Sequence, residues 1–470
     1  MQSRRGKSWS VVLAVLLTAA MALTACGGSG GNKGAESSPA PSSASPSESA
    51  KASDTPSAAP AGKVTVEFWQ QAFEETTNDW FKKYVDQFNK SQEQIQIKYT
   101  LVPGEAWEQK LKAAQAAGKA PEVYTMNYGG IANAAKLGQI QPLNDLMDPV
   151  VFDDIYDNVK EFVMVGDKYY AYPKLVEPSS VLYYRKDLFE KAGLDPNKAP
   201  ATWAELLDAA KKLTDKGVFG FSTAQVAGDL GWSSWGLQIG TSGHGALTDD
   251  WSKADINNDA YKAVFKFYQD AYQSGVMPKQ ALAGYTDMKP YGEGKVAMQV
   301  NGSWGIGQLR NSYKDKLDIT GIAPMPSKDG DPTSATATLG GWTLVVDGKA
   351  QHAQEASEFI SYLLAGDPAI MIDFFKTSGF SKFSPRKSVD EAMKSDPDAS
   401  KDEWRALIAE KIIPYSKAEP IYAWDVSMAV STGIESAMRG TSVDSAIEKA
   451  EKTINDYIAN NKIAGTNPKQ

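Results

Sequence analysis

Between Gly166 and Phe189 the chain reads GDKYYAYPKLVEPSSVLYYRKDLF. Tyr169, Tyr170 and Tyr172 are strand formers, and Val181, Leu182, Tyr183 and Tyr184 form a second apolar run. Pro173 removes a backbone donor, and Pro178 confines Glu177 to extended geometry. The reading is two short β-runs around a middle that is not regular structure. Lys186–Phe189 then opens a helix that stops near Gly193. A chain that stays extended through two prolines suits a crossing from one lobe to another, with a ligand held in a cleft beside it.

At 470 residues the chain can hold two or three domains' worth of core. Hydrophobic residues make up 42%, too few for a multi-span membrane protein. Arg4, Arg5 and Lys7 precede an apolar run, Val11 to Leu23, that is short for a span. It ends at Leu23-Thr24-Ala25-Cys26-Gly27, which resembles a bacterial lipobox. Residues 1–25 are therefore read as a lipoprotein signal peptide and Cys26 as an acylated lipid anchor. Cys26 is the single cysteine, so no intrachain disulfide forms. The bland alternative is an ordinary cleaved signal with an incidental cysteine. Residues 26–61 are rich in Ser, Pro, Ala and Gly and read as a disordered tether. The expected location is the cell membrane, lipid-anchored on its extracytoplasmic face. Without the three basic residues of the signal, 46 basic residues face 57 acidic ones, a balance of −11. That disfavours nucleic acid as a partner, which needs a basic footprint.

From Lys63 onward the pattern alternates. Val64, Val66 and Phe68 read as a half-buried strand ending at Trp69-Gln70-Gln71. Thr76-Thr77-Asn78-Asp79 reads as the cap of a helix bearing Trp80, Phe81, Tyr84, Val85 and Phe88. Ile95 to Leu101 is a second strand, Glu105 to Ala117 a helix, and Pro121 to Met126 a third strand followed by Asn127-Tyr128-Gly129-Gly130. This order predicts a parallel α/β layer. Thr202-Trp203-Ala204-Glu205 is a capping box, and Ala260 to Ser274 a helix. Val296 to Val300 is a strand leading to Asn301-Gly302-Ser303-Trp304. Ile319 to Pro326 is a second extended crossing, and the last helix should bury Ala446, Ile447, Ala450, Ile454 and Ile458.

Several blocks then carry a resemblance: AAGKAPEVYTMNYGG with QPLNDL, the Gly166–Phe189 stretch with ATWAELLDAAKKL, YGEGKVAMQVNGSW, GIAPMP, LGGWTLVV and AQEASEFISYLL. In order and spacing the chain resembles the family 1 extracellular solute-binding proteins of ABC importers, which include maltose-binding protein. The resemblance implies a two-lobe, type II periplasmic-binding-protein-like α/β fold with three hinge crossings and a ligand cleft between the lobes. It puts lobe 1 at 62–176 plus 327–366 and lobe 2 at 177–326 plus 367–470, with the third crossing near Gly366. It implies no enzyme activity, no cofactor and no metal, a carbohydrate ligand, ABC permease transmembrane subunits as partners, and a monomer. Arg185 stands where the family often has Asn, which leaves the ligand's charge open.

A sugar presents an apolar C–H face and a rim of hydroxyls, so its site wants aromatic rings and planar polar groups on loops. Strand C-termini are the expected location in a parallel sheet. The candidate ligand-binding residues are Trp69, Gln70, Asn127, Tyr128, Glu177, Trp232, Trp235, Trp304, Gly341, Trp342 and Trp424. Trp80 and Trp203, at helix starts, read as packing, and Trp107 is open between the two roles. Arg386 is a cleft-rim candidate or a surface arginine. Two histidines leave a zinc site short of ligands. Asp396 to Glu403 lacks the turn glycine of a calcium loop and reads as helix capping. The competing functions are a site for another small polar solute (polyamine, osmolyte or phosphorylated polyol) and a secreted glycosidase using paired carboxylates.

Overall fold

The computed structural model describes residues 63–468 except Glu74. The signal peptide, Cys26 and the tether lie outside the described residues. Val66 and Phe68, two apart, are fully buried on one face of β1 (Val64–Gln71). This strand pairs in parallel with β2 (Ile95–Val102) on one side and β3 (Val123–Asn127) on the other. The helix Glu75–Ser91 covers them with Trp80, Phe81, Tyr84, Val85 and Phe88, the residues expected from their spacing. It starts earlier than its expected cap. Asn78 lies inside the first turn and instead clasps Phe73, accepting from its N–H and donating to its carbonyl, both at 3.0 Å.

Chain crossings come next. β4 (Tyr172–Pro178) runs unbroken through both prolines, where the sequence reading expects irregular chain. Its paired neighbour is β8 (Thr338–Val346), and the register shifts at Trp342/Thr343, opposite Pro173. Along its other edge the only bridge among the described residues is Val176 to Phe383. A proline fits a strand where no ladder bond is asked of it. β5 (Val181–Arg185) then lies between β6 (Met298–Asn301) and β7 (Thr320–Pro324), antiparallel to both. In the larger sheet β8 pairs antiparallel with β3 and parallel with a short β9 (Lys417–Ala418), giving the order β9-β8-β3-β1-β2.

Two apolar cores result. β5 divides them by its own alternation: Val181 and Tyr183 face the first, Leu182 and Tyr184 the second. The first core holds the larger sheet and its helices and extends past the crossing to Met288, Tyr291, Ile306, Leu309 and Ile322, and the second holds Trp203, Leu206, Phe265 and the C-terminal helices. The third crossing is not near Gly366. The helix Pro368–Thr377 stays on the first core, with Phe374 5.0 Å from Trp80 and the Trp80 indole N–H on the Ile370 carbonyl. Ile408 and Ile412 still count in the first core, where the helix Glu403–Lys411 also meets β7, and from Tyr422 onward the chain packs on the second core. The reason is apolar: Ile370, Met371, Phe374 and Phe375 have their partners on the first core. Arg386 is neither rim nor surface. Buried, it donates to Asp154 at 2.7 Å and to the Leu364 and Gly366 carbonyls, tying this segment down. Asp402 caps the helix Glu403–Lys411 and pairs with Arg310.

The capping box at Thr202/Glu205 and the buried stripe Ala446, Ile447, Ala450, Ile454 and Ile458 are both observed. Between them, Trp232 and Trp235 stand on two short helices, Ala227–Ser233 and Trp235–Ser242. The second presses its glycines onto the backbone that leads into β8: a Cβ on Gly240 would lie 1.7 Å from the Ala335 carbonyl oxygen. Helix propensity alone makes Gly240→Ala stabilising by about 1 kcal/mol. The clash is with backbone and should win, for a net loss of about 1–3 kcal/mol. Urea unfolding should show a lower midpoint for Gly240→Ala, whereas a higher midpoint would mean that the helix moves freely away.

Candidate functional site

A cleft of about 930 Å³ opens between the lobes. β1 and β3 run parallel, so their C-terminal ends arrive together and place Gln71, Ala72, Phe73 and Asn127 on one wall. β4 and β8 form the floor with Lys174, Leu175, Glu177, Gly340, Gly341 and Trp342. The opposite wall carries Trp232, Trp235, Trp304, Gln308 and Asn311, and the late segments add Ser381, Lys382, Glu419 and Trp424.

The tryptophans stand in three groups. Trp342 meets Phe73 edge-on at 4.6 Å on the first wall. Trp232 is 5.9 Å from Trp304 and edge-on to Tyr285 at 5.1 Å. Trp235 lies 6.3 Å from Trp424, with its N–H on the Ser427 hydroxyl at 3.1 Å. Glycine makes two of these positions possible. A Cβ on Gly302 would come within 2.0 Å of the Trp304 ring, and one on Gly231 within 2.6 Å of the Trp424 ring. Trp424 is still 46% exposed, a large apolar face turned to solvent.

Eight of the expected residues therefore line the cleft: Asn127, Glu177, Trp232, Trp235, Trp304, Gly341, Trp342 and Trp424. Three do not. Gln70 is fully buried, donating to Asn78 at 2.9 Å and accepting from the Tyr99 hydroxyl. Trp69 packs beside the core with the Lys110 ammonium 4.6 Å above its ring. Tyr128 is buried with its hydroxyl on the Leu175 carbonyl at 2.9 Å. The strand alternates, so the face that buries Phe68 also buries Gln70, and the position that reaches the cleft is Gln71. Asn127 also caps the helix Tyr128–Lys136, accepting from Gly130 N–H at 3.2 Å. Trp80, Trp107 and Trp203 are buried packing residues. Arg185 holds Asp187 through two donors at 2.8 and 2.6 Å and does not line the cleft.

The electrostatics of the floor were not visible in the sequence. Lys174 is nearly fully buried, its ammonium 4.7 Å from the Phe73 and Phe81 ring centres. Glu419 follows β9, and a Cβ on Gly340 would lie 2.3 Å from its Oε1. Gly340 is the ladder partner of Glu177, so the two glutamates converge over a residue with no side chain. Desolvation, then repulsion from Glu177, pushes the Glu419 carboxyl up to about 7. No motif announces Glu419. It sits between Ala418 and Pro420 in a stretch that the sequence marks only as tail.

With this geometry in place, the comparisons with known proteins are specific. Residues 74–367 match the model of a bacterial extracellular solute-binding protein. The chain belongs to this family. Its members are solute-binding proteins, not enzymes. Among its relatives is the sn-glycerol-3-phosphate-binding periplasmic protein UgpB of Pectobacterium atrosepticum, 28% identical over 321 residues, or 63% of this chain and 69% of that protein. Among solved structures, the cyclic alpha-maltosyl-1,6-maltose binding protein of Arthrobacter globiformis is 27% identical with a TM-score of 0.69, covering 85% of this chain and all of that one (100%). A solute-binding protein of Thermotoga lettingae bound with alpha-D-tagatose is 25% identical with a TM-score of 0.70, covering 84% and 99%. Among the described residues of this solute-binding protein, no helix is long and apolar enough to cross a membrane.

The Glu419 carboxyl gives a pH signature. Its folded value of about 7 lies above the ordinary 4.5, so between those values the native state holds a proton that the unfolded chain releases. Its contribution is therefore full below about 4.5 and is lost as pH rises through about 7. Glu419→Gln should stabilise the empty protein at pH 8 by about 2 kcal/mol, and by little at pH 5. Thermal melts of both proteins across this range check it, with no pH-dependent gap as the contrary result.

Proposed function

We propose that this protein is the solute-binding subunit of an ABC importer that takes a carbohydrate, in particular an oligosaccharide, into the interlobe cleft and delivers it to membrane permease subunits. The observation that carries the reading is the set of three tryptophan groups around one cleft, interleaved with carboxylate, amide and hydroxyl side chains. Rings spaced along a cleft offer stacking faces to successive sugar units, and the polar groups between them meet the hydroxyls. The relatives whose names specify a saccharide or a ketohexose support the ligand class. Closure of the two lobes over the solute supplies the signal for docking, because a ligand touching both walls binds the closed state better than the open one. Acylation at Cys26 and the 26–61 tether would hold a monomer at the extracytoplasmic face of the cell membrane.

The second reading is a phosphorylated polyol, favoured by the name of the UgpB relative. A phosphoryl group is best held by arginine, and the cleft lining contains none, whereas two glutamates share its floor. Those carboxylates favour the neutral carbohydrate. A thermal-shift screen should therefore show a higher melting temperature with neutral sugars and no shift with sn-glycerol 3-phosphate, since a ligand that binds only the native state raises it. The reverse pattern would move the assignment to the polyol phosphate.

Trp424 separates binding from folding. Its ring is half exposed, so Trp424→Ala should change unfolding free energy by no more than about 0.5–1 kcal/mol. Loss of a stacking face should weaken sugar binding by about 1–3 kcal/mol, or roughly 5- to 150-fold. Titration calorimetry on a variant with an unchanged melting temperature makes the comparison, and undiminished affinity would remove Trp424 from the site.

A further inference from the structure

We propose that Glu419 determines solute specificity: as a carboxylate beside Glu177, it accepts hydrogen bonds from a pair of adjacent hydroxyl groups on the solute. The inference rests on the carbohydrate reading above and assigns part of its recognition to a residue outside the aromatic groups.

Three observations converge on it. Glu419 lines the cleft, and its Oε1 occupies the space where a side chain at position 340 would begin. Gly340 pairs with Glu177 in the β4–β8 ladder, so both carboxyls reach one spot from different strands. Among the described residues, no hydrogen bond or ion pair from the protein reaches the Glu419 carboxyl, and what acts on it is desolvation and the charge of Glu177. A half-buried carboxyl that faces a second carboxyl and takes no donor from the protein is uncommon in a fold, and a site waiting for a ligand's donors is one reason to keep it.

The neighbours leave that place to a ligand with donors. From β4 come Glu177 and Lys174, from the helix Tyr128–Lys136 comes Tyr128, whose hydroxyl is committed to Leu175, and Lys382 and Glu75 line the cleft with them. Glu419 also borders a cavity of about 660 Å³ on its other side, where Asp157, Lys160 and Glu161 stand. Adjacent hydroxyls can each donate to one oxygen of an ionised carboxylate. A protonated carboxyl presents a donor in place of one acceptor and loses that match. Hydrogen bonds to the charged form also favour that form. The empty cleft holds Glu419 partly protonated near neutral pH, so solute binding should expel a proton. Affinity should then rise with pH.

The test uses the full chain with glucose, maltose, maltotriose, maltotetraose and mannitol as probes. Thermal shift identifies which of them bind, and titration calorimetry follows at pH 6, 7 and 8 in phosphate and in Tris, whose ionisation heats differ. The expected result is affinity rising roughly tenfold between pH 6 and pH 8, with a buffer-dependent heat that reports proton release at pH 7. Glu419→Gln should bind roughly 10- to 100-fold more weakly and lose both the pH slope and the buffer dependence. Sugar binding that is flat in pH and free of proton exchange in the unmodified protein overturns the role of Glu419 and leaves the carbohydrate reading standing. So does a slope that persists in Glu419→Gln. If none of the five probes raises the melting temperature at any pH, the carbohydrate reading falls and takes this inference with it.

Discussion

The pairing of β4 with β8 is the contact on which the rest of the molecule depends. It brings two strands of distant sequence so close that Gly341 cannot carry a side chain: a Cβ there would sit 2.1 Å from the Leu175 carbonyl oxygen. Gly340, next to it, is kept bare by Glu419. From the end of this ladder the chain passes into the second sheet over Ser179 and Ser180. Ser179 is pinned there, donating its N–H to the Thr338 carbonyl at 2.9 Å and accepting the Thr338 N–H on its hydroxyl at 3.0 Å. The crossing is thus held at its root by one main-chain bond and one bond to a hydroxyl. The floor of the cleft is fixed, and of the opposite wall Trp232 and Trp304 pack on the second core while Ile306 and Leu309 of the helix Gly305–Ser312 pack on the first, so the two sides meet at this floor.

How far this was legible follows from the range of each interaction. The last helix and the Thr202 capping box were readable because their signals lie within a few residues of each other. The prolines of β4 misled for the opposite reason. Whether a proline interrupts a strand depends on what lies beside it, and β4's neighbour is more than 160 residues away in sequence. The Gly366 crossing failed similarly: glycine and Asp367-Pro368 mark a break in the helix, but only the partners of Phe374 and Phe375 decide which core the next helix joins.

In the site, Trp232, Trp304 and Trp342 were legible because each follows closely on glycine in the sequence, although the structure puts Trp232 in a helix and Trp342 inside β8. Strand parity was the weak point. Ending β1 at Trp69 rather than Gln71 makes Trp69 and Gln70 look like loop residues, although one is packed beside the core and the other inside it. Glu419 was beyond reach. Its meaning comes from Glu177 and Gly340, neither near it in sequence, and a glutamate before a proline carries no local pattern.

Aromatic rings and carboxylates do different work in this cleft, and their costs differ too. The rings are cheap to hold: each packs on another ring, and glycine at 231 and 302 makes room for two of them, so the empty protein loses little by presenting them. Their attraction is also permissive, because a C–H face is common to many sugars. The glutamate pair is the reverse. Two carboxyls converging over one glycine repel each other in a partly enclosed site, and a proton on Glu419 relieves that repulsion in the empty protein. A solute with well-placed donors relieves the same strain, and one with a phosphoryl group adds to it. Affinity in such a cleft can therefore be spread over the tryptophans, while the choice among polyhydroxylated solutes concentrates where the unliganded fold is least comfortable.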